Sequence, residues 1–241
     1  MRAVLGTVAD VVRFSWVDGP GNRFVVFLQG CNLNCLACHN PHTIPCATPR
    51  ARVVGLDELV AEVRPVAPFL SGVTVSGGEA TLQAPFVEAF FGALAAPDGL
   101  PGLTRFVDSN GHAAPEVWDA LLPLTDGVML DLKAIDPAVH RFLTGHDNDR
   151  VLASVRQVAA AGKLHEVRLL LVPGINDDPA MIRTTANWLL DIDPTVRVKV
   201  IGFRAHGVRA SARSWPEPDQ RQRDLYREQL VQLGVRDLEV V

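Results

Sequence analysis

Residues 24–41 read Phe24-Val25-Val26-Phe27-Leu28-Gln29-Gly30-Cys31-Asn32-Leu33-Asn34-Cys35-Leu36-Ala37-Cys38-His39-Asn40-Pro41. Apart from Gln29 the first six are β-branched, aromatic or leucine, the pattern of a short strand buried on both faces. The chain then turns at Gly30 and places three cysteines at a Cys-x3-Cys-x2-Cys spacing. Scattered core thiols do not bunch in this way, so the spacing assigns Cys31, Cys35 and Cys38 to a metal or redox centre. Thiolates are the usual ligands of an iron–sulfur cubane, and three of them leave one of its four irons open to a small molecule. The bland alternative is a structural zinc site with Cys46, the one other cysteine, as fourth ligand. Zinc sites pair two short knuckles and close the sphere with four ligands. Here Cys46 trails by eight positions amid prolines and reads as an incidental free thiol.

Outward from this loop, short apolar runs alternate with longer helical patterns. The periodicity predicts strands over 24–29, 72–76, 105–108, 127–132, 166–172 and 196–201. Helices are expected over 56–69, 85–95, 115–122, 137–143, 148–161, 178–191 and 219–233, with Asp57 and Glu58 suiting one N-terminus and Gly162 one C-cap. Six strand-then-helix units imply an α/β fold with a parallel sheet and right-handed crossovers, an open, partial (β/α)6 barrel. The chain is read as a single domain, 1–241, with an N-terminal extension over 1–23, a core over 24–205, and a C-terminal helix and tail over 206–241. In such folds the chemistry lies beyond the carboxyl ends of the strands.

Composition sets few limits. Of 241 residues 48% are hydrophobic and 21% charged, and the net charge of −4 gives no reason to expect nucleic-acid binding. The late run of basic residues from Arg197 to Arg227 reads as solvated surface. No stretch approaches the roughly 18 apolar residues of a membrane span, and no signal segment is visible, so the expected location is the cytoplasm, where structural disulfides are rare.

Other strand ends carry polar motifs. One strand ends in Ser76-Gly77-Gly78-Glu79, where paired glycines let backbone approach a ligand closely. The next ends at Asp108-Ser109-Asn110-Gly111, an ordinary turn composition. Asp131 interrupts an apolar strand, where an unpaired charge is costly, and Lys133 follows it. Arg168 does the same in the fifth strand; left buried and unpartnered it would cost roughly 3–5 kcal/mol, so a carboxylate must lie near.

With these motifs in hand, the sequence resembles the radical S-adenosylmethionine (SAM) activases of glycyl radical enzymes. The lead-in Trp16-Val17-Asp18-Gly19-Pro20-Gly21-Asn22-Arg23 narrows the likeness to the pyruvate formate-lyase activating enzyme and its relatives. Phe27 to Leu33 with Cys38 to Pro41, Val75 to Thr81, Val107 to Gly111, Met129 to Ala134, the Leu143-Thr144-Gly145 segment with Asp147 and Asn148, and the late Ala205-His206-Gly207-Val208 are similar to the YjjW-type activases.

The resemblance implies a radical SAM partial barrel that cleaves SAM reductively at one [4Fe–4S] cluster. The resulting 5′-deoxyadenosyl radical takes a glycine Cα hydrogen from a partner, the glycyl radical enzyme, with flavodoxin or ferredoxin as anaerobic electron donor. It assigns Gly77, Gly78 and Glu79 to the SAM ammonium, Lys133 to its carboxylate or ribose, Arg168 to its carboxylate, and His206 to its ribose or adenine, with His39 and Asn40 flanking the cluster. For Arg168 a structural acid such as Asp131 is the alternative partner. Asp108, Ser109, the Met129 carbonyl and Asp131 would hold a monovalent cation, for which oxygen ligands are suited. Asp18, Gly19 and Gly21 would face the partner's loop. Two departures stand out: no ferredoxin-like insert follows the loop, only Cys46, which implies a single cluster, and Ala37 replaces an aromatic beside the adenine. A radical SAM enzyme acting on a small molecule is the competing reading, and the zinc-stabilised binding module the one from another class.

Overall fold

A computed structural model describes residues 4–241. Among them run β1 (Leu5–Ser15), β2 (Arg23–Leu28), β3 (Arg52–Gly55), α1 (Leu56–Val63), β4 (Gly72–Gly77), α2 (Ala84–Ala95), β5 (Thr104–Ser109) and α3 (Pro115–Leu121). The chain continues with β6 (Gly127–Leu132), α4 (Pro137–Thr144), α5 (Asp149–Ala160), β7 (Leu164–Leu171), α6 (Pro179–Ile192), β8 (Val198–Gly202), α7 (Gln220–Gln232) and β9 (Leu238–Val240). All six expected strands form, and so do the seven helices. One helix is shorter than expected: α1 stops at Val63 and a separate 3-10 turn covers Ala67–Phe69. Pro65 and Pro68 lack the amide hydrogens that a continuing helix needs.

The chain divides into two compact units. In the first, the strand order is β3-β1-β2-β4-β5. Strands β2, β4 and β5 are parallel, with Leu28 opposite Gly77 and Val75 opposite Val107. The expected extension over 1–23 is largely β1, antiparallel to both β2 and β3; its residues 1–3 lie outside the described residues. Helix α2 buries Phe86, Val87, Phe90, Phe91 and Leu94. Each such aromatic contributes roughly 1.5–3 kcal/mol by leaving water. In the second unit β7, β8 and β9 are parallel neighbours. Strand β6 crosses the division, its Leu130 opening the second unit.

At the amino end of β2, Arg23 is completely buried. Its Nε donates to Thr74 Oγ1 at 2.6 Å, Nη1 to the Pro20 carbonyl at 3.1 Å and Thr104 Oγ1 at 3.0 Å, and Nη2 to the Val73 and Thr104 carbonyls at 2.7 and 3.0 Å. All five guanidinium donors are thus used, and the group also stacks 4.3 Å from the Phe106 ring centre. Burial lowers its pKa to about 10, against the opposing field of Asp126, so it stays charged at neutral pH. Gly19 borders this socket, where a Cβ would come within 2.8 Å of Arg23 Cδ. Arg23→Ala is expected to cost roughly 3–5 kcal/mol, from the cavity plus the stranded carbonyls, measured by urea unfolding. Arg23→Lys recovers little of this, because one ammonium cannot span the acceptors of a planar fork.

Helix α4 is set by its ends. Asp136 accepts from the Ala138 and Val139 amides, Pro137 opens the first turn, and Gly145 closes it in the left-handed region. Its His140 is fully buried. Nδ1 donates to the His146 carbonyl at 2.9 Å, and Nε2 has no hydrogen-bond partner among the described residues. Burial lowers the pKa of His140, reinforced by Lys133 and opposed by the His146 carbonyl. Burial likewise lowers that of His112, whose ring lies 5.0 Å from that of His146. Groups held neutral in the fold stabilise it above the unfolded-state pKa, about 6.5 for histidine, and that stability is lost as pH falls below it. The urea midpoint is therefore expected to drop between pH 7.5 and 5.5, and His140→Phe, which takes up no proton, to flatten that slope.

Candidate active site

The root of the cysteine loop belongs to the first unit and is fastened on several sides. Gln29, 4% exposed, donates from Nε2 to the carbonyls of His42 at 3.0 Å and Pro45 at 2.6 Å. The Gly30 and Cys31 amides reach the carbonyls of Thr43 and Ile44 at 2.8 and 3.0 Å. Residues 42–45 therefore return against the loop's first turn, and Cys46 follows, exposed.

The Ser76–Glu79 segment closes on the same root. Gly77 has φ +121°, and a Cβ there would lie 2.2 Å from the Leu28 amide nitrogen; one on Gly78 would lie 2.2 Å from the Gly30 carbonyl oxygen. The two glycines make way first of all for the chain's own backbone. The Gly78 amide then donates to Leu28 O and the Glu79 amide to Gly30 O, both at 2.8 Å. Glu79, 1% exposed, accepts on Oε1 from the Thr81 amide at 2.9 Å, Thr81 Oγ1 at 2.6 Å and Ser109 Oγ at 2.7 Å. Ser76 Oγ donates to Asp108 Oδ2 at 2.8 Å. The carboxyl ends of β4 and β5 thus share one rim of hydroxyls and carboxylates, as the strand-end rule anticipates. Met129, the remaining first-unit member of the expected cation set, is fully buried on β6.

Cys35 and Cys38 belong to the second unit. The amides of Asn34 and Leu36 donate to the Thr144 and Leu143 carbonyls at 2.9 Å, so the loop is held by the last turn of α4. Leu36 and Ala37 pack against an apolar cluster of Leu170, Val172, Phe203, Val208 and Ala212. His39 Nε2 lies 2.9 Å from the Arg204 carbonyl oxygen. Burial pushes the Cys35 thiol up to about 11, with Lys133 pulling the other way, Cys38 and Asp131 adding to the rise, and Arg209 opposing it. Lys133 Nζ is 2.8 Å from Asp131 Oδ2. Burial would lower that ammonium, but Asp131 and the nearby thiols outweigh it and hold its pKa above the ordinary lysine range.

Other expected site residues fall as follows. Asn40 and His206 are exposed, close to the cysteine loop in sequence and just past β8 respectively. For Arg168 the structure supplies Glu166 as a carboxylate, its Oε1 2.7 Å from Nε on the same strand face. Asp18, Gly19 and Gly21, which the resemblance sets against a partner's loop, fall away from the strand-end rim. They lie at the amino end of β2, and about 3.3 Å per strand residue puts roughly 17 Å between them and the cysteine loop. There Asp18 accepts from Ser15 Oγ and, through its carbonyl, from Thr74 Oγ1 at 2.7 Å. Arg197 and Lys199 of the late basic run meet Glu166 and Glu239. The reading from sequence missed Asn176, 4% exposed, which bonds Lys133 O, Leu170 O and the Val172 amide. It also gave no role to Asn148, which bonds Ala134 O and Ile135 O, although the motif containing it was noted.

The donor set fits an iron–sulfur cubane. All three loop thiols are half-buried and none is in a disulfide. No three or more His, Cys, Asp or Glu side chains among the described residues form a site for a single metal ion. A cubane asks for no such convergence, since its thiolates bind different irons. Loading must expel the Cys35 proton, because the ligand is the thiolate. In metal-free protein at pH 8, iodoacetamide is expected to label Cys46 first and Cys35 last, followed by peptide mass spectrometry. After anaerobic loading only Cys46 should remain reactive; its protection would mark a four-thiolate site instead.

Residues 25–186 match the model of the radical SAM superfamily. The chain is 35% identical over 210 residues to the pyruvate formate-lyase-activating enzyme of Streptococcus mutans, covering 85% of this chain and 80% of that one. It is 35% identical over 213 residues to the enzyme of the same name from Staphylococcus epidermidis, covering 84% and 83%. Two solved structures share the fold: a radical SAM methyltransferase from Sphaerobacter thermophilus (TM-score 0.70, 17% identity, 99% of this chain and 77% of that one) and a domain of a pyruvate-formate lyase-activating enzyme from Bacteroides vulgatus (TM-score 0.59, 22% identity, 71% and 99%). With its α/β fold, mostly parallel strands and three-cysteine loop at the end of β2, the chain belongs to the radical SAM superfamily, among the activating enzymes of glycyl radical enzymes.

Proposed function

We propose that this chain cleaves SAM reductively at one [4Fe–4S] cluster held by Cys31, Cys35 and Cys38, and so installs a radical on a glycine of a partner glycyl radical enzyme. The observation that carries this function is the loop of three half-buried thiols outside any disulfide, in a chain similar to named activating enzymes over most of its length. When bound, the cluster supplies one electron to the SAM sulfonium, giving methionine and the 5′-deoxyadenosyl radical that abstracts the glycine Cα hydrogen.

The protein's part is positioning and exclusion. The backbone around Gly77 and Gly78 presents carbonyls to the SAM ammonium, while Glu79 holds the turn that aims them. Lys133, Arg168, His206, His39 and Asn40 form the polar surround of the nucleotide. Asp108, Ser109, the Met129 carbonyl and Asp131 offer oxygens to a monovalent cation beside it. Ser109 Oγ donates to Glu79 Oε1 at 2.7 Å, which fixes its oxygen at this rim. Burial around Leu36 and Ala37 limits water at the loop, and Ala37 holds the position where the resemblance implies an aromatic. No described helix is long and apolar enough to cross a membrane. The proposed setting is the cytoplasm, with a flavodoxin or ferredoxin supplying the electron.

The test is anaerobic reconstitution with iron, sulfide, SAM and a strong reductant, followed by chromatography for 5′-deoxyadenosine. Wild-type protein is expected to turn brown and form 5′-deoxyadenosine, and Cys35→Ala to fall to background. Addition of a glycyl radical enzyme should yield a glycyl signal by electron spin resonance. Cleavage retained by Cys35→Ala, or colourless protein carrying zinc, refutes the assignment.

A further inference from the structure

The loop after β8 lies against the second half of the cysteine loop. The Arg204 carbonyl meets His39 Nε2 at 2.9 Å, and a Cβ on Gly207 would come 3.0 Å from the His39 carbonyl oxygen. Val208, 2% exposed, belongs to the apolar cluster on which Leu36 and Ala37 pack. Two contacts and a shared core therefore fix residues 204–208 relative to Cys35 and Cys38.

Arg209 comes next, half-buried, at the head of the short 3-10 turn Ala210–Ala212. Its Nη2 is sealed from solvent and has no hydrogen-bond partner among the described residues. A buried guanidinium donor left unmade is costly, and native structures retain such a group where something comes to meet it. The neighbouring cation, Lys133, differs in that its charge is matched by Asp131 at 2.8 Å. Both cations send their field onto the Cys35 thiol. Arg209 thus follows directly on residues held against the cysteine loop and carries a permanent charge with an N–H to give.

Resting on the activase function set out above, we propose that Arg209 is a positioning residue that donates this N–H to the anionic group bound at the cysteine loop. That acceptor is either the carboxylate of SAM or a thiolate or sulfide sulfur of the cluster; both are anionic acceptors for which a charge-assisted guanidinium bond is suited.

The experiment compares wild type, Arg209→Gln, Arg209→Met, Arg209→Lys and, as control, Arg213→Gln, an exposed arginine of the same loop. Each is loaded anaerobically and checked for iron and sulfide content and thermal midpoint. Two quantities are then read: the reduced fraction of the cluster in a redox titration without SAM, followed by electron spin resonance, and the dissociation constant for SAM. If sulfur is the acceptor, Arg209→Gln lowers the ratio of reduced to oxidised cluster about tenfold at a fixed potential, about 59 mV for one electron. Arg209→Lys recovers most of that shift. If the carboxylate is the acceptor, the titration is unmoved and SAM binds about tenfold more weakly. Arg209→Met keeps the packing stem without the charge and gives the same reading where the Gln variant fails to load. Intact clusters with both quantities unchanged in Arg209→Gln or Arg209→Met overturn the proposal and leave the activase function standing. Wild-type protein that binds no cluster overturns both.

Discussion

The backbone at the end of β4 runs so close to the end of β2 that no side-chain carbon fits between them. Gly77 and Gly78 lie where a Cβ would stand 2.2 Å from Leu28 and Gly30, and two amide bonds at 2.8 Å seal the contact. The rest of the site's first half follows from this closeness. Glu79 is delivered into a buried position where three donors fix its Oε1, and one of them, Ser109, ties in the end of β5. Meanwhile the turn from β2 into Cys31 is gripped from the other side by Thr43 and Ile44. A loop that must present thiols to a rigid inorganic core gains from such fixing, because ordering loose ligands at the moment of binding costs about 1–2 kcal/mol per residue.

Electrostatics divides the labour differently in the second unit. Around Cys35 burial is the largest influence on the thiol and acts against ionisation, so this thiol keeps its proton until metal displaces it. Lys133 alone would offset part of this, but its charge is shared with Asp131. Loading with iron replaces protons by a far larger positive charge, and the desolvation that opposed the thiolate then strengthens its bond to metal by keeping competing water away. An apolar wall of Val208, Leu36 and Ala37 serves a charged centre for the same reason.

Much of this was legible in the sequence. The six strands announced themselves as short runs rich in valine, leucine and phenylalanine, and the cysteine spacing marked a metal or redox centre without any fold. The strand-end rule then selected Gly77 to Glu79, Asp108 and Ser109 correctly as rim residues. What escaped was whatever depended on pairing across distant segments. β1 looked like a lead-in because its exposed outer positions, such as Arg13 and Phe14, and its irregular register blur the alternation. Asn176 and Asn148 read as loop asparagines, since nothing local reveals that their amides each bridge two carbonyls. The paired glycines were read as clearance for a ligand, whereas their nearest neighbours are backbone. Distance is equally hidden: Asp18-Gly19-Pro20-Gly21, close to the cysteine loop in sequence, is separated from it by the full length of a strand.

That separation has a physical use. Arg23 and the Asp18–Gly21 turn gather β2, β4 and β5 at their amino ends through five hydrogen bonds from one guanidinium. The opposite ends of the same three strands carry Cys31, Ser76, Glu79, Asp108 and Ser109. Close backbone packing at one end demands glycine, and glycine weakens a strand by about 0.5–1 kcal/mol relative to alanine. A network worth several kcal/mol at the far end offsets that loss without placing any bulky or charged group near the ligand side. The strands act as rods between the two ends, so the side chains that hold the sheet together and those that face the chemistry can change independently.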